Sequence, residues 1–250
     1  MFPIRDHNPS HGTPFVVYAL IALNVLIFFV QLPYMADDRA LAKFWADRAL
    51  YPVLVTDHFS YTGILTSMFL HAGWMHIIGN MLFLWIFGDN LEDEMGHLGF
   101  LGFYLAAGLA AAGMQYAADP GSAVPMVGAS GAIAGVMGGY LLLYPRARVD
   151  VLVIFVVFFR VFAMRAWVVL GLWFGLQLFS GLSTPTEDGG VAYWAHAGGF
   201  IAGLLMTVPV WRRRGAAAYW RQTEGQPPHP EARYPLQKTQ IPRVRRPPDR

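Results

Sequence analysis

The chain has 250 residues, of which 55% are hydrophobic and only 14% charged, whereas soluble domains run at roughly 45–50% and 25%; with its apolar residues clustered in long runs, this composition excludes an ordinary water-soluble domain. There is no cysteine, which excludes disulfides, a thiolate nucleophile and Cys-ligated metals. The formal net charge of +2 is unevenly spread: residues 1–211 carry eight Lys/Arg against thirteen Asp/Glu, and residues 212–250 carry ten against three.

A membrane-spanning helix needs about 20 mostly apolar residues. Residues 1–13 are polar and precede an apolar run long enough to stay in the bilayer, so they read as a short cytoplasmic N-terminus and not as a cleavable signal. The first span is predicted at 14–32, with Thr13 as N-cap and Pro14 as first helical residue. A long extracytoplasmic loop, 33–73, follows; its stretches 39–50 and 60–70 are amphipathic and are expected to lie in the interface. The second span is predicted at 74–87, possible earlier starts included, the third at 98–116 and the fourth at 130–144. Residues 149–162 are β-branched and aromatic, interrupted by Arg160; they read either as an interfacial segment or as part of a long fifth helix. The fifth span is predicted at 166–182 and the sixth at 194–211. The rest, 212–250, is basic and Pro-rich, and from 215 onward is read as a disordered cytoplasmic tail.

Lys and Arg sites orient the bundle. No Lys or Arg occurs between Arg48 and Arg146, whereas Arg146, Arg148, Arg160 and Arg165 fall between spans four and five and Arg212, Arg213 and Arg214 follow span six. Six spans place both termini and the four–five connection on one side, which takes most of the basic residues and is expected to be the cytoplasm. Spans two, four and six then share a direction, and their N-terminal ends share one depth near the outer face.

Those three ends carry the chemistry. Span two contains His76 and Asn80, four residues apart and so on one helix face. Span four opens with Gly128-Ala129-Ser130-Gly131, and span six with Trp194-Ala195-His196. Polar residues inside spans are costly and usually functional. A serine hydroxyl becomes a competent nucleophile when a base takes its proton, and a neutral histidine suits that task. The Asn80 amide, a His76 ring N–H and the Ser130 backbone N–H are candidate donors to the oxyanion of amide hydrolysis. Gly131, Gly135 and Gly139 on span four, and Gly199 and Gly203 on span six, are spaced by four and allow close helix packing. No Asp or Glu stands in span six or its neighbours to orient the imidazole, so Ser130 and His196 are expected to form a dyad.

Gly128-Ala129-Ser130-Gly131, His71…His76…Asn80 and Ala195-His196-Ala197-Gly198-Gly199…Gly203, in this order and at these depths, resemble the motifs of the rhomboid intramembrane proteases, over roughly residues 14–211. The resemblance implies an all-α membrane protein, a six-transmembrane-helix rhomboid-like bundle. It also implies a cofactor-free Ser–His dyad cleaving transmembrane segments of single-span membrane proteins near the outer face, with nucleophile Ser130, base His196, and oxyanion donors His76, Asn80 and the Ser130 backbone. Two departures stand out. Ser60-Tyr61-Thr62-Gly63 lacks the Trp-Arg pair of many members' first loop. The tyrosine that some members stack on the histidine is Ala134 here, so another group must hold His196. Lateral access is expected past spans two and five, with 180–193 as a candidate lid.

His71 is expected to be structural, His97 solvated, and Glu92 and Asp93 loop or helix-cap residues. His71 and His76 lack a carboxylate or thiol at ligand spacing, so no metal is expected. The arginines after span six are assigned to the lipid bilayer and not to nucleic acid, and the expected setting is a bacterial inner membrane. Two rival readings remain: an inactive relative that binds membrane helices for trafficking or degradation, and a small transporter or channel, which would favour charges or broken helices at midplane.

Overall fold

A computed structural model describes residues 2–155, 158–184 and 191–227; the distal tail and the middle of the expected lid, 185–190, lie outside the described residues. The chain order is β1 (Phe2–Asp6), α1 (Phe15–Gln31), α2 (Asp38–Trp45), α3 (Pro52–His58), α4 (Thr62–Thr66), α5 (Trp74–Met95), α6 (His97–Ala118), α7 (Ser130–Leu143), β2 (Arg148–Phe155), β3 (Phe158–Arg165), α8 (Ala166–Ser183), α9 (Tyr193–Arg213) and α10 (Ala217–Thr223). The helices form a bundle as expected. Among the described residues, four stretches are long and apolar enough to cross a bilayer: Phe15–Ala36, His97–Ala118, Ala166–Ser183 and Tyr193–Arg213. A fifth arises when Thr62–Phe69 is joined to α5 across an 87° bend. The helix expected as span four, α7, has 14 residues; at about 1.5 Å per residue it is shorter than a hydrocarbon core of about 30 Å.

Helix α7 is the hub, with eleven of its residues buried, and it packs against α9, α6 and α5. Glycine makes the closest of these contacts possible. A Cβ on Gly199 would overlap the carbonyl oxygen of Gly131, and one on Gly203 would overlap that of Gly135. The four-residue spacing gives no direction for these contacts. The missing side chains of Gly131 and Gly135 face Ala111 and Ala107 of α6, and Gly139 faces Thr207, Leu91 and Phe103. Gly138, outside the four-residue series, meets the backbone of Phe200. Helix α7 is therefore thinned on several sides at once.

The other end of the bundle is fastened by carboxylates. Glu92, buried, accepts from the N–H groups of Val16 and Val17 at 2.9 and 2.8 Å, satisfying two orphan donors at the start of α1. His97, expected to be solvated, keeps half its surface exposed but bonds to Glu92. Asp93 accepts from the N–H groups of His11 and Gly12. Glu94 accepts from Tyr144 Oη at 2.7 Å and from Arg214 Nε and Nη2 at 2.8 and 2.7 Å. Glu92 thus caps the start of α1, and Asp93 ties down the loop before it.

Two readings need correction and one region gains structure. Residues 2–6, within the short polar N-terminus, form a strand antiparallel to β2. Residues 149–162 are not part of a long fifth helix: β2 and β3 pair antiparallel from Arg148↔Arg165 to Phe155↔Phe158, completing a sheet in the order β1-β2-β3. Their β-branched and aromatic content is what a strand selects. The tail read as disordered contains α10, with Tyr219 buried and Trp220 Nε1 donating to the Leu142 carbonyl at 3.0 Å.

Two outcomes are expected. Gly203→Ala should lower the melting temperature measurably, because two backbones must separate to admit one methyl group. Gly171→Ala in α8, with open space around the new Cβ, should be neutral or slightly stabilising; thermal unfolding in detergent or nanodiscs compares them. The second concerns Asp6, which accepts from Tyr140 Oη at 2.7 Å and whose carboxyl is pushed up to about 6 by burial. This lies above the unfolded reference of about 3.9, so the folded state holds the proton more tightly. Stabilisation from Asp6 is then full below the unfolded value and lost as pH rises through about 6. Melting curves across that range should fall less steeply for Asp6→Asn than for wild type.

Candidate active site

Helix α5 starts directly after an extended Gly73, whose carbonyl accepts from Ile77 N–H, so His76 lies in its first turn and Asn80 one turn further. Ser130 is the first residue of α7. The chain reaches it through Gly128, at φ 128°, a left-handed conformation that favours glycine. A Cβ at Gly128 would stand 2.7 Å from His76 Nε2 and 3.6 Å from Ser130 Oγ, so the segment passes between the two side chains with no room to spare. His196 lies in the first turn of α9.

These ends converge. His196 Nε2 is 2.7 Å from Ser130 Oγ, within hydrogen-bond reach for proton transfer. On the far side of the ring, His196 Nδ1 is 2.8 Å from Gln177 Oε1, and the Trp173 ring lies 5.6 Å away, tilted by 36°. Both come from α8. The imidazole is only 9% exposed. The group opposite the serine is thus an amide, on a helix that the search for a carboxylate passed over. Its one sequence signal was an amide side chain in an otherwise largely apolar helix.

His76 Nδ1 accepts from the Ala72 N–H at 3.3 Å, so the neutral ring carries its proton on Nε2, the atom beside Gly128. Asn80 is 7% exposed, and among the described residues its Nδ2 has no hydrogen-bond partner. Buried donors are nearly always paired, so an unpaired one in a cavity wall is suited to an incoming acceptor. The N–H of Ser130, at the first position of a helix, has no intrahelical partner. The three residues that carry these donors line the same cavity as the Ser130 hydroxyl.

Ser130, His196, His76 and Asn80 all line a cavity of about 1130 Å³ that is also walled by Trp74 of α5 and Trp173 of α8. His71 acts through its backbone, which exchanges hydrogen bonds with the Gln31 side chain and so ties the 70–73 bend to α1; its buried ring stacks edge-on against His76 at 5.1 Å. Gln115 Oε1, also unforeseen, accepts from Ala195 N–H at 3.2 Å and fixes the start of α9. Among the described residues no group of three or more His, Asp or Glu is arranged to hold a metal. A hydroxyl bonded to an imidazole, in a cavity lined by further donors, can support acyl transfer.

Comparison with known proteins agrees with this architecture. A rhomboid domain model matches residues 58–213. The mitochondrial rhomboid protein 1 of Saccharomyces cerevisiae is 31% identical over 196 residues, covering 76% of this chain and 51% of the yeast protein. The rhomboid protease GluP of Bacillus subtilis is 33% identical over 132 residues, covering 53% of this chain and 25% of GluP. The human mitochondrial presenilin-associated rhomboid-like protein is 28% identical over 149 residues, covering 58% and 37%. The chain thus spans about half the length of the yeast relative and less of the other two. With the family model covering well over half of the chain, this multi-pass membrane protein belongs to the rhomboid family.

Proposed function

We propose that the protein is an intramembrane serine endopeptidase. The observation that carries this reading is the 2.7 Å contact between Ser130 Oγ and His196 Nε2 inside a cavity among membrane helices. Ser130 Oγ attacks the scissile carbonyl while its proton passes to His196 Nε2. The tetrahedral oxyanion is met by Asn80 Nδ2, His76 Nε2–H and the Ser130 N–H. His196 then protonates the leaving amine, and a water deprotonated by the same nitrogen hydrolyses the acyl-enzyme, regenerating the hydroxyl. No cofactor enters any step.

The substrate is a single-span membrane protein. A peptide bond in a regular helix is shielded, so the segment must unwind locally, and small or helix-breaking residues near the cut lower that cost. Because α7 is shorter than the hydrocarbon core, Ser130 at its outer end sits below the outer boundary while its inner end stays near the Glu94 cluster. Water must fill the cavity for the second half-reaction. Lateral access runs between α5 and α8, both of which contribute to the cavity wall.

The spread of Lys and Arg supports cytoplasmic termini. The setting we favour is a bacterial inner membrane, although relatives include mitochondrial proteins. An inactive, helix-binding relative is the alternative; the bonded serine and histidine favour the enzyme.

Cleavage of a model transmembrane substrate in proteoliposomes tests the proposal. Ser130→Ala and His196→Ala should each lose about 10³-fold or more of activity while keeping wild-type melting behaviour; equal cutting by Ser130→Ala and wild type would remove the reading. Asn80→Ala should slow turnover by about 10²–10³-fold, the cost of one oxyanion donor, with a smaller change in KM.

A further inference from the structure

The proton inventory of His196 leads to a residue outside the dyad. A neutral imidazole has one N–H and one bare nitrogen. To accept the Ser130 proton, Nε2 must be bare, so the ring proton belongs on Nδ1. In that tautomer Nδ1–H needs an acceptor, since an unpaired buried donor is costly. Gln177 Oε1 is there, 2.8 Å away. Among the described residues, the other polar or ring contacts of the imidazole are Ser130 Oγ and the Trp173 indole, neither of which serves Nδ1.

We propose that Gln177 is the positioning residue of this site, its side-chain carbonyl holding His196 in the Nδ1–H tautomer with Nε2 directed at Ser130. The inference rests on the protease reading and adds a third member to it. An amide does here what a carboxylate does in Ser–His–Asp triads, fixing tautomer and ring direction, without a buried charge in the bilayer.

The placement of Gln177 gives the arrangement a second property. The buried residues of α8 are Ala166 and Leu170, both in its first turns. Further along, α8 leans on α9 through ring contacts, Phe174 on Phe200 at 4.5 Å and Trp173 beside Phe200 at 6.2 Å. The hydrogen bond that Gln177 Oε1 accepts from His196 belongs to this lightly packed half. Any displacement of α8 that breaks it leaves the imidazole free to turn, so the base is aligned from the same helix that borders the access route.

Steady-state cleavage by Gln177→Leu and Gln177→Glu tests the assignment. Leu preserves bulk in an apolar helix and removes the acceptor; Glu keeps an oxygen at the same reach. We expect Gln177→Leu to lower kcat by about tenfold or more, with KM changed by less than about threefold, and Gln177→Glu to recover most of the lost kcat. A Leu variant with wild-type kcat, or a Glu variant as slow as Leu despite wild-type melting behaviour, would overturn the role. Ser130→Ala in the same assay separates the two levels: if wild type cuts no faster than Ser130→Ala, the protease reading fails and this role falls with it; if wild type cuts and Gln177→Leu cuts equally, only this role fails.

Discussion

The site depends on two helix backbones lying in direct contact. Gly199 packs on the carbonyl of Gly131 and Gly203 on that of Gly135, bringing the axes of α7 and α9 closer than side chains would allow. Ser130 and His196 stand at the matching ends of those helices, so the separation of the helices sets the separation of hydroxyl and imidazole. Water-driven burial does little to hold helices together within lipid, and small residues that permit close van der Waals contact take its place. The same glycines that stabilise the pair therefore also set the reach of the base. Gly128 extends this economy, threading the chain between His76 and Ser130 where a side chain would fit neither the backbone conformation nor the space.

Rigidity at the opposite end complements this contact. Glu92, Asp93 and Glu94 hold, in turn, the start of α1, residues 11–12, and the ends of α7 and α9. Three consecutive carboxylates gather four segments, and the N-terminal strand joins the β2–β3 hairpin beside them. The bundle is pinned at the side we assign to the cytoplasm, whereas α8 is the most lightly buried of the long apolar helices. The fold thus combines a fastened base with one lightly buried wall, the arrangement that the proposed entry of a substrate helix calls for.

Much of the site could be read in the sequence because membrane helices make polar residues conspicuous. His76 and Asn80 at i and i+4, Ser130 in its glycine run and His196 ahead of Gly199 stood out against apolar surroundings, and helix direction put them at one depth. Gln177 was overlooked for a physical reason: the search was for a charge, whereas a neutral acceptor suffices when the base is uncharged in its resting state. The glycine spacing predicted contact but could not give the direction of each missing Cβ, which depends on helix rotation. The sheet was the hardest element to foresee. β1 pairs with a partner about 150 residues away, and a short β-branched segment such as 149–162 fits a strand or a membrane helix until its partner is known. The Arg214–Glu94 pair joins residues 120 positions apart and leaves no local signature.

The central claim is that Ser130, through its contact with His196, is the activated nucleophile of this chain. Reaction of the full-length protein in native membranes with a fluorophosphonate probe, followed by mass spectrometry of the adduct, tests it most directly. The account predicts a single adduct on Ser130 in the wild type and at most trace labelling in His196→Ala; labelling that maps to another residue, or that survives undiminished without the imidazole, would contradict it.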